Sequence, residues 1–175
     1  MKTTRILRLV ALAVVGVGAL RGFDLTKPFP KTEVVFFEPE KFTDVRDSYG
    51  GDSEGARKEV LDELLTCVVK QANRLMVQGQ VLKITVTDVD LAGEFEPWRA
   101  TGGNDIRVVR DIYPPRIKLA FRLTDADGTI LAQGDRALGD LNFLQRLEIR
   151  RDDPRRHEKS LLEDWLRKEF GALKK

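Results

Sequence analysis

Between residues 54 and 90 the spacing of apolar residues changes once, from three-and-four to two. Leu61, Leu64, Leu65, Val68, Ala72, Leu75 and Met76 share one face of a helix expected from Glu54 to near Val77. Asp52 or Ser53 can cap its start, and Gly79 can stop it. From Val81 the period becomes two: Leu82, Ile84 and Val86 point one way and Lys83, Thr85 and Thr87 the other. A helix and a strand that each carry one apolar face must bury those faces against something, and the economical solution is against each other.

The remaining pattern extends this pair. Glu33 to Glu38 is a short apolar and β-branched run between Pro30 and Pro39, and it predicts a strand buried on both faces. A loop follows over residues 39–52. From Pro115, Ile117, Leu119, Phe121 and Leu123 alternate with Arg116, Lys118, Ala120 and Arg122. Asp125-Ala126-Asp127-Gly128 predicts a hairpin turn, with a return strand over Thr129 to Leu138. Half-exposed alternating strands are the mark of an antiparallel sheet with one wet face. Asp140 can cap a short helix, Leu141 to Ile149, with Leu141, Phe143, Leu144 and Leu147 as its apolar residues. Asp153-Pro154 predicts the start of a last helix, proline taking the first helical position, with Leu161, Leu162, Trp165, Leu166 and Phe170 as its stripe. The expected fold is α+β: a two-layer sandwich of a mainly antiparallel four-stranded sheet with helices on one face, in the order β-α-β-β-β-α-α.

The first residues have a different character. Lys2, Arg5 and Arg8 precede an apolar run from Leu9 to Leu20, with small residues at Val17-Gly18-Ala19. Such a run is too short to span a bilayer comfortably, so residues 1–19 read as a secretory signal, with an uncleaved anchor as the alternative. Residues 20–32 read as a linker, and 33–172 as a single domain, which suits a 175-residue chain. The expected location is the periplasm or outside the cell, with no stable membrane span after cleavage. The full chain carries a formal +2. Residues 1–19 hold three positive and no negative charges, so the remainder carries about −1, and no nucleic-acid partner is expected. The single cysteine, Cys67, lies in the helical pattern and reads as a small buried hydrophobe.

Candidate chemistry concentrates beyond the apolar part of the strand that starts at Val81. Continuing the alternation, Asp88 and Asp90 follow Val86 on the core-facing side, so an apolar face turns acidic. Glu94 and Glu96 come next, with Trp98 after them and Tyr113 further along. Two carboxylates on one face repel unless a cation or solvent meets them. One reading is a solvated strand end paired to Arg99, Arg107 or Arg110. A second is a binding surface built from Asp88, Asp90, Glu94, Glu96, Trp98 and Tyr113, because a loop this long in a small domain is usually functional or disordered. A third is a metal- or carboxylate-dependent hydrolase, with Ca²⁺ or Mg²⁺ the fitting ions for oxygen ligands. Asp125-x-Asp127-Gly128 lacks the glutamate of a calcium loop and is explained by the hairpin. His157 is the only histidine and reads as a surface residue; the run Arg146, Arg150, Arg151, Arg155, Arg156 reads as a solvated face.

The phrase TDVDLAGEFEPW, the segment Asp111-Ile112-Tyr113-Pro114-Pro115-Arg116-Ile117, the Phe42-Thr43-Asp44 ahead of the first helix and the closing Leu162-Glu163-Asp164-Trp165 together resemble an exported bacterial family catalogued as domain of unknown function 3016. The similarity covers residues 33–171. It implies an exported single domain and no assigned activity, cofactor or catalytic residue. The expected function is a non-enzymatic binding or interaction module using the 88–113 region, with an unknown envelope protein or ligand as partner and no cofactor. The alternative is the hydrolase, acting on envelope material.

Overall fold

The computed structural model describes residues 31–47, 53–96, 106–146 and 152–171. Strand β1 (Lys31–Phe36) leads through a 3₁₀ turn at Pro39–Lys41 to helix α1 (Glu54–Leu75). Strand β2 (Val81–Asp90) follows, then two short strands, β3 (Glu94–Phe95) and β4 (Arg107–Val108). β5 (Arg116–Thr124) and β6 (Ile130–Gly139) form a hairpin, and α2 (Arg156–Phe170) closes the fold.

The main sheet has the order β1-β2-β5-β6. It is mixed: β1 runs parallel to β2, while β2–β5 and β5–β6 are antiparallel. This corrects the mainly antiparallel expectation, and the reason lies in the connection. A helix between β1 and β2 carries the chain back along the sheet, as parallel neighbours require. β3 and β4 form a separate two-stranded sheet inside the long connection between β2 and β5.

One layer of helix covers one face of the sheet. Val60, Leu61, Leu64, Val68 and Ala72 of α1 meet Leu161, Leu162, Trp165, Leu166 and Phe170 of α2 over the inner residues of β2 and β5. Phe121, Trp165 and Phe170 pack edge-to-face, with ring centroids 5.5–5.8 Å apart. Ser53 caps α1 by accepting a hydrogen bond from the Ala56 amide, as its sequence position predicts.

Other expectations need correction. The first strand begins at Lys31, so Lys31 and Thr32 belong to the sheet and not to a linker. The helix expected over 141–149 is a single 3₁₀ turn, Phe143–Gln145, where described. Phe143 is buried, whereas Leu141 and Leu144 are exposed, so the described part of that segment buries one apolar residue and not a stripe; residues 147–149 lie outside the described residues. The last helix starts at Arg156, two residues later than expected, because the Asp153 carboxylate accepts from the Arg155 amide and holds 153–155 in a turn. Cys67 is half-buried, its Sγ 3.6 Å from a Glu163 carboxylate oxygen.

The correction that matters most for function lies in β2. Its register against β5 shifts between Val86 and Asp88. Thr87 is therefore an extra residue, a β-bulge, and the strand changes phase there. Val89 and Leu91 become the buried residues that follow Val86. Asp88 and Asp90 turn to the opposite face, the one no described helix covers.

Candidate functional site

The six residues singled out in the sequence separate into three groups. Asp88 and Asp90 stand on the open face of the sheet. Glu94, Glu96 and Tyr113 belong to the β3–β4 flap and its return. Trp98 lies outside the described residues, as do Arg99 and the rest of 97–105.

Asp88 ties two segments together. One carboxylate oxygen accepts from the Thr43 amide at 2.9 Å, and the other accepts from the Thr43 hydroxyl and from Lys118 Nζ at 2.9 Å. Burial acts to raise its pKa, but these hydrogen bonds outweigh burial and hold it below the ordinary aspartate value. Asp90 pairs with Arg116 at 3.4 Å. Here burial dominates, Arg116 opposes it, and nearby Asp44 adds to it, so its pKa is raised. The Asp44 backbone bridges β2 beside it: Asp44 N–H donates to Val89 O and Leu91 N–H to Asp44 O.

Asp44 is the centre of a buried ionic cluster that the sequence reading did not single out as a site. Its side chain and that of Arg107 are each 4% exposed and meet at 2.9 Å. Arg107 also donates to the carbonyls of Gly93, at 3.0 Å, and Arg46, at 3.1 Å. Arg46 binds Asp44 from the other side and reaches Glu94 at 3.2 Å. Both guanidiniums also lie over the Phe95 ring, Arg46 Cζ 4.4 Å and Arg107 Cζ 4.7 Å from its centroid. Gly93 makes this approach possible. Its φ is +85°, and a Cβ there would sit 2.8 Å from the Val108 carbonyl oxygen.

The cluster continues into α2. Buried Glu158 accepts from the Ala92 amide at 2.6 Å, and its second carboxylate oxygen has no hydrogen-bond partner among the described residues. Burial raises its pKa, against the opposing Ala92 N–H and the charges of Arg155 and Arg107. Arg155 and His157 are buried too, His157 against the Phe143 ring at 4.8 Å, and Arg146 is half-buried between Asp140 and Asp164. The surface reading of His157 and the solvated reading of that arginine run are corrected accordingly; Arg150 and Arg151 lie outside the described residues.

Glu96 is also buried, between Arg110 at 3.2 Å and the Tyr113 hydroxyl at 3.3 Å. Partial desolvation and Glu96 together raise the Tyr113 pKa. The flap is thus pinned on its inner side by Asp44–Arg107 and at its return by Glu96–Arg110–Tyr113. Its outer side is different: Ile106, Val109 and Ile112 are 59%, 39% and 63% exposed. Each described acid of the candidate set has its own basic or hydroxyl partner. Among the described residues no group of three or more His, Cys, Asp and Glu side chains is arranged to hold a metal ion.

A family model described as a protein of unknown function, DUF3016, matches residues 30–168. The chain belongs to that family. No curated protein matches it. Among solved structures it is similar to a dodecamer of a PelC variant from Paraburkholderia phytofirmans, at 12% identity over 80% of this chain and 83% of that one, with a TM-score of 0.36. A likeness that weak assigns neither fold nor function. No helix among the described residues is long and apolar enough to cross a membrane.

The signal for Asp44, Arg46 and Arg107 in the sequence was slight. Asp44 lies in a loop and Arg107 far along the chain, and only the closed fold brings them together.

Proposed function

We propose that this chain is an exported, non-enzymatic binding module that engages an envelope protein or ligand through the 88–113 region, with the β3–β4 flap as the contact element. One observation carries the reading. A flap that adds little to the main core is held down by a buried Asp44–Arg107 pair, while it turns Ile106, Val109 and Ile112 to solvent. Burying an ion pair carries a desolvation cost that apolar packing avoids. Fixing an apolar display in place lowers the entropy lost when a partner binds it. Export rests on the composition of residues 1–19.

The acids of the region serve this reading as positioning groups: Glu94 and Glu96 hold the flap, and Asp88 and Asp90 hold the strand it grows from. The hydrolase alternative would need those carboxylates for substrate or metal, and each described one is engaged within the fold.

The double substitution Ile106→Ser and Ile112→Ser tests the proposal. Both side chains are exposed, so stability should change by no more than about 0.5 kcal/mol. Binding partners recovered from an envelope fraction by the wild-type chain should be lost by the variant at an unchanged melting temperature. Equal recovery by both proteins would remove the flap from the binding surface.

A further inference from the structure

The outer face of β5 carries three basic residues, Arg116, Lys118 and Arg122. Two of them stand opposite an acid on β2: Arg116 opposite Asp90 and Lys118 opposite Asp88. The third breaks the pattern, because Arg122 stands directly opposite Lys83. Like charges facing each other across neighbouring strands are destabilising. Lys83 is drawn towards Glu33 on β1 at 3.5 Å, but Arg122 lies within ion-pair distance of no carboxylate among the described residues.

The same rows of the sheet form a hollow. Thr85 faces Ala120, and these small side chains floor an open trough of about 510 Å³. Lys83, Arg122 and Gln133 lie in one cross-strand row along it, and Asp135 marks the far side, opposite Ala120. Both helices are on the other face of the sheet, so no described helix covers the trough.

We propose that this trough binds an oxyanion, a carboxylate or phosphate group, between the Lys83 ammonium and the Arg122 guanidinium, with the Gln133 amide and the Thr85 hydroxyl as further donors. An anion placed there converts the repulsive row into two charge-assisted contacts. Arginine presents the planar fork suited to such groups and lysine a mobile point charge. The outward side chains of β2, β5 and β6 that line the trough include no aromatic ring, so a stacked sugar ring is not what the trough offers. Asp135 makes the far end the less favourable place for negative charge, which orients an anionic ligand along the trough. The trough is separate from the flap and stands or falls independently of it.

The test is a titration of the isotopically labelled full chain, followed by amide chemical shifts, with inorganic phosphate and with a tetraglutamate peptide. Chloride at matched ionic strength serves as control. Saturable shifts at Lys83, Arg122 and Gln133 support the site. Saturation by phosphate alone assigns a tetrahedral oxyanion, and saturation by the peptide alone assigns a carboxylate. Arg122→Glu should weaken binding by at least about tenfold and raise the melting temperature, because Lys83 then faces an acid as Lys118 and Arg116 do. Arg122→Gln should also lose binding without introducing a new charge, which keeps the test readable if the first variant folds poorly. No saturable shift with either probe, or wild-type affinity in both variants, overturns the proposal.

Discussion

A single carboxylate can organise a region when its hydrogen bonds come from different segments. Asp88 does this: it fastens the Thr43 backbone to β2 and meets Lys118 on β5. Its depressed pKa makes its contribution to stability present above the ordinary aspartate range and lost as pH falls through its folded value. Glu158 behaves in the opposite sense. Its folded pKa is raised above 4.5 by burial, so ionising it costs the folded state more than the unfolded chain. Stability from this group is greatest below the unfolded value and declines as pH rises through the folded one. Arg155 from the turn ahead of α2 and Arg107 from β4 limit the penalty without cancelling it. Glu158→Gln keeps an acceptor for the Ala92 amide and cannot ionise. The melting temperature of the wild type, relative to this variant, should fall as pH is raised from about 4.5 towards neutrality. A constant difference across that range would show that Glu158 does not titrate there.

At the scale of elements, the bulge in β2 decides where the acids go. Deleting Thr87 should therefore be tolerated. Val86 and Asp88 would become neighbours, just as their partners Leu119 and Lys118 are, and both faces would keep their residues. Deleting Thr85 instead shifts the strand against β5 by one residue and turns Leu82 and Ile84 outward. Exposing each of those side chains costs about 1.5–3 kcal/mol. Circular-dichroism melts should show a folded protein for the first deletion and a largely unfolded one for the second. The contrast also marks what was legible in the sequence. The two long helices and the strands of the sheet follow from periodicity, because each buries one face. The bulge left one trace, a step of three from Val86 to Val89 between runs of two, and continuing the alternation through it put Asp88 and Asp90 on the wrong face. The mixed sheet and the Asp44–Arg107 pair depend on which strands become neighbours, and no local pattern encodes that.

At the scale of the molecule, one core carries the global stability, and an ionic anchor attaches a second, smaller body to it. These two parts should respond differently to damage. Leu166 is fully buried at the centre of the core, and Leu166→Ala should cost about 2–5 kcal/mol through lost burial and the cavity left behind. Hydrogen exchange should then quicken at the slowest amides of β2 and β5, since those exchange only by global opening. Arg107→Met removes the partner of a buried carboxylate, a loss of about 3–5 kcal/mol where nothing else compensates. Arg46 still holds Asp44, and the flap contributes few residues to the core. The loss should therefore appear first as faster exchange at Gly93, Phe95 and Val108, with a smaller change in β2 and β5. If both variants speed exchange in β2 and β5 equally, the flap is part of the cooperative core, and its exposed isoleucines cannot be displayed independently of it. If the flap opens alone, a partner that grips Ile106 and Ile112 would protect the flap amides while leaving the core rates unchanged, giving a direct readout of binding.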